Sequence, residues 1–515
     1  MNQLTLDLST SFFPKENHVA VFIHELVEAL QINDPYLFGR PREYDLGAML
    51  KLVLFAYTRE TFTSRKIERL AEENLYARWL TQERVPTYRT IARFCVSNDV
   101  QELTNKGLDQ LTEYLRARNL IDDALFIDGT KILADANKYS FVWKKNTIRF
   151  DQMNREKLLT MMTELREAYA LKQIPEGTTL TVYMIDELLT RMELRLEELE
   201  KEVEATKRLS PNPAKQQRRT LKSQVRKLNT KREKLLEHQT QFSTYGTRNS
   251  YSKTDHDATM MNMKYDYYNQ TGVFKPGYNL QIGVCDEYIM HMEIFSNPTD
   301  TRTYIPFMKK YKDIYDRYPR WPIADAGYGS YDNLLFNVIN GMELGLKYNY
   351  YAKKNSSDFK KQIYNPMNWQ YDEQGFKVCP QGHPFHIEKD ERWNTKGEYL
   401  QISRVFECGQ CHTCLVKDKC TKAKEQRKIQ INYALNELLN RVDENLGNDE
   451  GKEMKKQRCI QVEGAFGVIK QDMNYARLRR RGRLNVKTEL LLIGIAYNIC
   501  KYHNKKSRKR SQIIS

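Results

Sequence analysis

The sequence predicts an α/β protein whose sheet is preceded by helices and interrupted by two insertions. Three observations carry this expectation. The run Ala124-Leu-Phe-Ile-Asp128-Gly-Thr-Lys-Ile-Leu133 reads as a buried strand passing through a turn into another. The runs 277–285 and 288–295, separated by Asp286-Glu287, read as an antiparallel hairpin, followed by a helical stretch near 301–317 and a short strand at 321–325. Between the first strand and the hairpin, the apolar spacing changes from that of a strand to that of a long helix.

Length and charge narrow the class. At roughly 150 residues per domain, 515 residues call for about three units. Lys and Arg number 82 against 66 Asp and Glu, a net charge of +16, which suits a polyanionic partner. The longest apolar run, Leu490 to Cys500, contains Gly494, Tyr497 and Asn498 and falls short of the ~20 residues that span a bilayer. The opening segment MNQLTLDLSTSFFPKEN lacks a charged start followed by an apolar stretch, so no signal peptide is expected. The expectation is a soluble, basic, multi-domain cytoplasmic protein, and a polyanionic partner such as DNA would make it nucleoid-associated.

Residues 1–120 read as a helical domain. Leu46, Met49, Leu50, Val53 and Tyr57 share one helical face, Ser64 is placed to cap a helix carrying Ile67, Leu70 and Ala71, and a third helix starts near Thr87. Arg65, Lys66, Arg69, Arg84, Arg89 and Arg93 decorate these helices. A DNA-binding module, helix-turn-helix-like, explains them, and so does a helical cap with a solvated charged face. Residues 121–505 read as an α/β domain with insertions at 150–245 and 355–428. In the first insertion Val182, Ile185, Leu189, Met192, Leu196, Leu199 and Val203 advance by alternating threes and fours, a heptad seam. Ser210-Pro-Asn-Pro213 breaks it, and Leu221, Val225, Leu228 and Leu235 resume it, so an antiparallel helical hairpin is expected. Its basic second arm is most simply a solvated face. The tail at 506–515, which overlaps a basic run from Lys505 to Arg510, is expected to be disordered and to add non-specific attraction to DNA.

Two aspartates stand at predicted strand ends, each just ahead of a glycine turn: Asp128 in Phe-Ile-Asp-Gly-Thr and Asp325 in Ile-Ala-Asp-Ala-Gly-Tyr. Ligand sites of open α/β sheets collect at such ends. Glu463 lies in Cys459-Ile-Gln-Val-Glu-Gly-Ala-Phe-Gly-Val-Ile-Lys470, bordering a stripe of Val462, Phe466, Ile469 and Met473. Lys470 sits two turns further along and Arg458 about one turn before. Three carboxylates suit a pair of hard divalent cations. Singly, each has a plainer reading as a turn or boundary residue. Among competing carboxylates, Asp300 reads as the cap of the following helix.

As a set, FIDGTKI (126–132), PGYNLQIGVCD (276–286), IADAGYGS (323–330), VEGAFGVIKQ (462–471), RLRRRG (477–482) and IGIAYNICKY (493–502) resemble a bacterial insertion-sequence transposase of the DDE class. The helical N-terminus is similar to the leading domain of one such group. The resemblance implies a ribonuclease H-like core, with Asp128, Asp325 and Glu463 as ligands of two Mg²⁺ ions that Mn²⁺ can replace. It also implies Lys470 as the basic residue after the glutamate, in contact with DNA. Many relatives carry Tyr and Arg at fixed positions before that glutamate. Here Cys459 takes the arginine's place and Arg458 is one position off, so Arg458 is assigned only as a phosphate contact. The implied activity is metal-dependent cleavage of double-stranded DNA at element ends and strand transfer into target DNA, by a homodimer in the DNA complex. Lys470, Arg477, Arg479, Arg480, Arg481 and Arg483 are assigned to the DNA backbone. A nuclease of the same fold without strand transfer, or a non-catalytic DNA-binding regulator, remains as the alternative.

Nine cysteines complete the picture. Cys408, Cys411, Cys414 and Cys420 have the spacing that lets thiolates converge on a tetrahedral ion, with Cys379, His383, His386 and His412 as further candidates. Structural Zn²⁺ is the expectation, and mutually buried thiols are the alternative. Cys95, Cys285, Cys459 and Cys500 read as buried thiols.

Overall fold

A computed structural model of the protein describes residues 12–32, 43–169, 171, 180–206, 211–263, 273–473, 475 and 477–514. The chain divides into two compact units, residues 1–134 with 278–515 and residues 135–277. Ser210, one end of the expected helix break, lies outside the described residues.

The first unit opens with six helices: α1 (Val19–Ala29), α2 (Leu46–Thr58), α3 (Ser64–Glu73), α4 (Leu75–Leu80), α5 (Tyr88–Phe94) and α6 (Asn98–Arg116). Side-chain caps start several of them, with Asp45 accepting from the Ala48 amide at 2.8 Å and Ser97 from the Val100 amide at 3.3 Å. Thr63, not Ser64, occupies the cap position of α3. Arg65, Lys66, Arg69, Arg84, Arg89 and Arg93 are all exposed.

Strand β1 (Ala124–Leu133) follows, and the chain leaves for the second unit. That unit holds β2 (Phe141–Trp143), α7 (Lys144–Ala168), α8 (Val182–Ala205), α9 (Pro213–Tyr245), β3 (Ser250–Ser252), β4 (Thr259–Met263) and the start of β5 (Val273–Cys285). Ile185, Leu189, Met192 and Leu199 of the heptad seam are buried with Leu221, Leu228 and Leu235. The bridges Lys222–Glu200 and Arg232–Asp186 run α8 and α9 antiparallel. The expected two-helix hairpin is corrected by a third helix. Leu158, Met162 and Leu165 of α7 join the same core, because two helices alone leave half of their apolar surface wet.

The chain returns through the second half of β5 into β6 (Tyr288–Phe295), α10 (Tyr304–Tyr315), β7 (Trp321–Ala324), α11 (Tyr331–Ile339) and β8 (Gly345–Leu346). In this unit the strands lie in the order β6-β5-β1-β7-β8. β5 and β6 pair antiparallel, from Asn279 opposite Phe295 to Cys285 opposite Tyr288. β1, β7 and β8 are parallel, with Phe126 opposite Ile323 and Ile323 opposite Gly345. The strand expected at 344–350 shrinks to the two residues of β8.

The cysteine-bearing segment holds α12 (Ser357–Lys360), β9 (Ile387–Asn394), β10 (Gln401–Glu407), α13 (Lys417–Cys420) and β11 (Lys428–Ile431), with the three strands in one antiparallel sheet. Helices α14 (Tyr433–Gly447), α15 (Asp449–Gly467) and α16 (Arg483–Ile514) close the chain. α16 packs on α2, α6 and β6, so the N-terminal helices share a core with the C-terminal helix instead of forming a separate domain. The buried Asn498 of α16 pairs with both backbone groups of Ile289, accepting from its amide at 2.8 Å and donating to its carbonyl at 2.7 Å. It thereby satisfies groups on an edge strand. The segment expected to be a disordered tail is the continuation of α16 to Ile514. No helix of the described residues is long and apolar enough to cross a membrane.

Beside α16, Glu489 is fully buried and accepts from the Tyr475 hydroxyl and from the Arg479 and Arg480 amides, both at 3.1 Å. Arg480 Nη1 lies 3.7 Å from its carboxylate. Burial raises the Glu489 pKa above the ordinary carboxylate value, and the Arg480 guanidinium opposes that shift. Arg480 is therefore turned inward, a correction to its assignment as a phosphate contact. A carboxylate at this depth needs a counter-charge, and Arg480 supplies it. Arg480→Ala is expected to cost about 3–5 kcal/mol by stranding Glu489. Arg479→Ala and Arg481→Ala, at exposed positions, should stay within about 0.5 kcal/mol of the unmodified protein. Urea unfolding of the three variants checks this.

Candidate active site and cysteine module

The backbone of β1 at Gly129 and the turn after β7 fix one oxygen of each aspartate and leave the other for a shared partner. The Gly129 amide donates to Asp128 Oδ1 at 2.8 Å, and the Gly327 amide donates to Asp325 Oδ1 at 2.9 Å. Both Oδ2 atoms face one guanidinium nitrogen, Arg458 Nη2, at 2.9 Å from Asp128 and 3.8 Å from Asp325. Arg458, assigned from the sequence as a phosphate contact, thus bridges the two carboxylates. Its side chain is 9% exposed, and its Nε has no hydrogen-bond partner among the described residues. Lys347 shares this field, and burial first, with the Arg458 charge second, holds its ammonium below the ordinary lysine value.

Glycine at 129 is required by space. A Cβ there would meet Gln281 Nε2 and lie 2.7 Å from Asp300 Oδ1. Asp300 does not cap α10 with its side chain, as the sequence suggested. Its Oδ1 accepts from Asn279 Nδ2 at 2.8 Å and from Gln281 Nε2 at 2.9 Å, and the Tyr328 hydroxyl donates to Gln281 Oε1 at 2.5 Å. Burial chiefly, and then the charges of Asp300, Asp128 and Asp325, push the Tyr328 pKa well above its ordinary value. Sequence reasoning missed this polar layer. Asn279 and Gln281 carried the available signal, as polar residues two apart in an apolar strand.

Helix α15, which carries Glu463, packs against β1 and β7. Glu463 itself is exposed. Asp128, Asp325 and Glu463 do not come together tightly. Among the described residues, the one group of three possible metal-ligating atoms lying mutually within 4.8 Å is Asp122, Cys285 and Asp286. There, the Cys285 thiol lies 3.1 Å from Asp122 and the Asp122 amide bonds Asp286, which a hairpin turn explains without an ion.

Beyond α15 the helix widens into a π-turn over Val468–Asp472, and Lys470 within it donates to Thr130 Oγ1, two residues past Asp128. Leu478 N bonds the Leu133 carbonyl at 2.9 Å, laying the basic loop along the end of β1. Arg477, Arg479, Arg481 and Arg483 are exposed there, with Arg483 Nη2 3.8 Å from Glu293.

In the cysteine-bearing segment, Cys379, Cys408, Cys411, Cys414, Cys420 and His383 line one small cavity. A tight turn with Gly382 at φ +80° presents Cys379. Burial, followed by Cys411 and Cys379 beside it, raises the Cys408 pKa to about 11. Arg427 Nη1 lies 2.8 Å from Cys420 Sγ. No three of these thiols lie mutually within 4.8 Å among the described residues, wider than the spacing of a closed zinc site. Elsewhere Cys95 and Cys285 are buried as expected, whereas Cys459 is exposed.

Two family models match. Residues 378–503 match the Transposase DDE domain, and residues 9–97 match the Transposase domain (DUF772). Glu463, Arg458, Lys470, the basic loop and the cysteine module fall inside the first match, and Asp128 and Asp325 outside both. No curated protein and no solved structure matches. The chain is thus similar to transposase domains over these two segments, one toward each end.

Proposed function

We propose that the protein cleaves element-end DNA and joins it to target DNA at a divalent-metal site formed by Asp128, Asp325 and Glu463. The single observation that carries this reading is the convergence of Asp128 Oδ2 and Asp325 Oδ2 on Arg458 Nη2. Two anionic oxygens directed at one cation form a donor set suited to a hard divalent ion, and α15 brings a third carboxylate on a helix packed against the same two strands. Strand order β6-β5-β1-β7-β8, antiparallel on one side and parallel on the other, supports a ribonuclease H-like core.

Asp128, Asp325 and Glu463 would hold two Mg²⁺ ions, which when bound would supply Lewis acidity toward a phosphate and a water. The chain's own residues do the rest. The Gly129 and Gly327 amides keep the aspartates from rotating. Lys470, tied to Thr130, stands where a scissile phosphate approaches Asp128. Arg477, Arg479, Arg481 and Arg483 extend positive charge away from the carboxylates along a DNA backbone. The donor chemistry of the cysteine cavity fits Zn²⁺, held by four of its five thiolates, and Cys379 joins the set on the same footing as Cys408, Cys411, Cys414 and Cys420.

Asp128→Asn, Asp325→Asn and Glu463→Gln each remove a negative ligand at nearly constant shape. Each should lower Mg²⁺-dependent cleavage and joining by about 100-fold or more, with DNA binding at moderate salt retained. Assays of cut and of joined product, run beside a binding titration, check this and separate a transposase from a nuclease. Unmodified rates for Asp325→Asn refute the site. For the second metal, elemental analysis of protein purified without chelator should find about one zinc per chain. Chelation should then expose the five thiols to alkylation together. Absence of zinc with thiols already reactive removes that assignment.

A further inference from the structure

In the second unit, a groove of about 580 Å³ opens beside α7 and α9. Its lining includes Phe141, Trp143 and Phe150, with Trp143 36% and Phe150 54% exposed. The Phe141 and Trp143 rings lie 5.8 Å apart, centroid to centroid. These rings are not the bundle's own core, which uses Leu158, Met162 and Leu165 further along α7. Lysines stand on both walls: Lys157 on α7, and Lys231 and Lys234 on α9. Glu237, the one carboxylate among the lining residues, bridges Lys234 at 2.7 Å.

We propose that this groove binds unpaired nucleotides of a DNA strand, their bases stacked on Trp143 and Phe150 and their phosphates met by Lys157 and Lys231. The inference rests on the reading of the chain as a DNA-processing enzyme. Flat aromatic faces beside cationic side chains are what single-stranded nucleic acid recognises, since every base has a π-face and every nucleotide a charge. A duplex cannot use the rings, because its bases are already stacked on one another. The volume falls in the range of about 300–1,000 Å³ typical of small-ligand sites, which suits a few nucleotides. A second copy of the groove is disfavoured by its charge, because two-fold pairing would set lysines against lysines.

The test uses the full chain and a fluorescent oligothymidylate of about ten nucleotides. A blunt duplex serves as the comparison, and anisotropy is read at two salt concentrations. Trp143→Ala with Phe150→Ala should weaken single-strand binding about tenfold or more. The salt slope and the duplex affinity should not change, and Trp143→Phe should retain most of the affinity. Lys157→Gln with Lys231→Gln should flatten the single-strand salt slope by about 1.4, near 0.7 per phosphate contact. Unaltered single-strand affinity in the Trp143/Phe150 variant, with duplex binding intact, overturns the groove and leaves the DNA-enzyme reading standing. A change of oligomeric state in sedimentation with unaltered oligonucleotide affinity overturns it in favour of a protein partner. Failure of the unmodified chain to bind either DNA takes down both readings.

Discussion

The parallel pairing of β1 with β7 is the constraint on which the rest of the first unit depends. Phe126 stands opposite Ile323, and each aspartate lies two residues further along the chain, Asp128 within β1 and Asp325 just past the end of β7. The register that pairs two apolar residues therefore brings Asp128 and Asp325 level at the same end of the sheet. A slip by one residue would turn one carboxylate to the opposite face and bury the wrong side chains. Because Ala124, Leu125, Phe126, Ile127, Trp321, Ile323 and Ala324 are all buried, the same burial that stabilises the sheet also sets the geometry of the acidic pair. Fold and site share one cause here.

Around that pair the charges are balanced locally, and Arg458 is the clearest case. It comes from α15, more than 300 residues after Asp128, and its guanidinium holds two carboxylates that would otherwise repel each other. Glu489 and Glu293 repeat the logic further out. Glu293, buried on β6, gathers Lys310 at 2.6 Å and Lys487 at 3.0 Å, and both cations hold its pKa low against the penalty of burial. A chain with a surplus of basic residues thus spends several inside the first unit, while α9 of the second carries nine Lys and Arg against two Glu.

Much of the local structure was legible in the sequence. The hairpin around Asp286-Glu287 and the heptad from Val182 to Val203 are strong periodic signals that correspond to elements at nearly the expected bounds, whereas the run from Ala124 to Leu133 is one continuous strand without the turn expected at Gly129. What escaped was pairing over distance. α7 gave no clean seam because it shares its core with two other helices. Arg480 and Arg479 look alike in RLRRRG, and only the buried Glu489 makes one structural and the other exposed. Arg458 and Asp300 were misplaced for the same reason. Their partners lie on other elements, and no local spacing records that.

The order in which the chain emerges during synthesis follows from the placement of the second unit. β1 is made early, and its neighbour β7 follows about 200 residues later, roughly 10–40 s at ordinary elongation rates. Throughout that interval the strand carrying Asp128 has no parallel partner, while α7, α8 and α9 can already close their own core. The N-terminal helices wait longer still, since the helix that shares their interior, α16, is made after β7 and β8. A message cut short before α16 would yield a protein with β1 and β7 present and its helical interior open, a ready substrate for proteolysis.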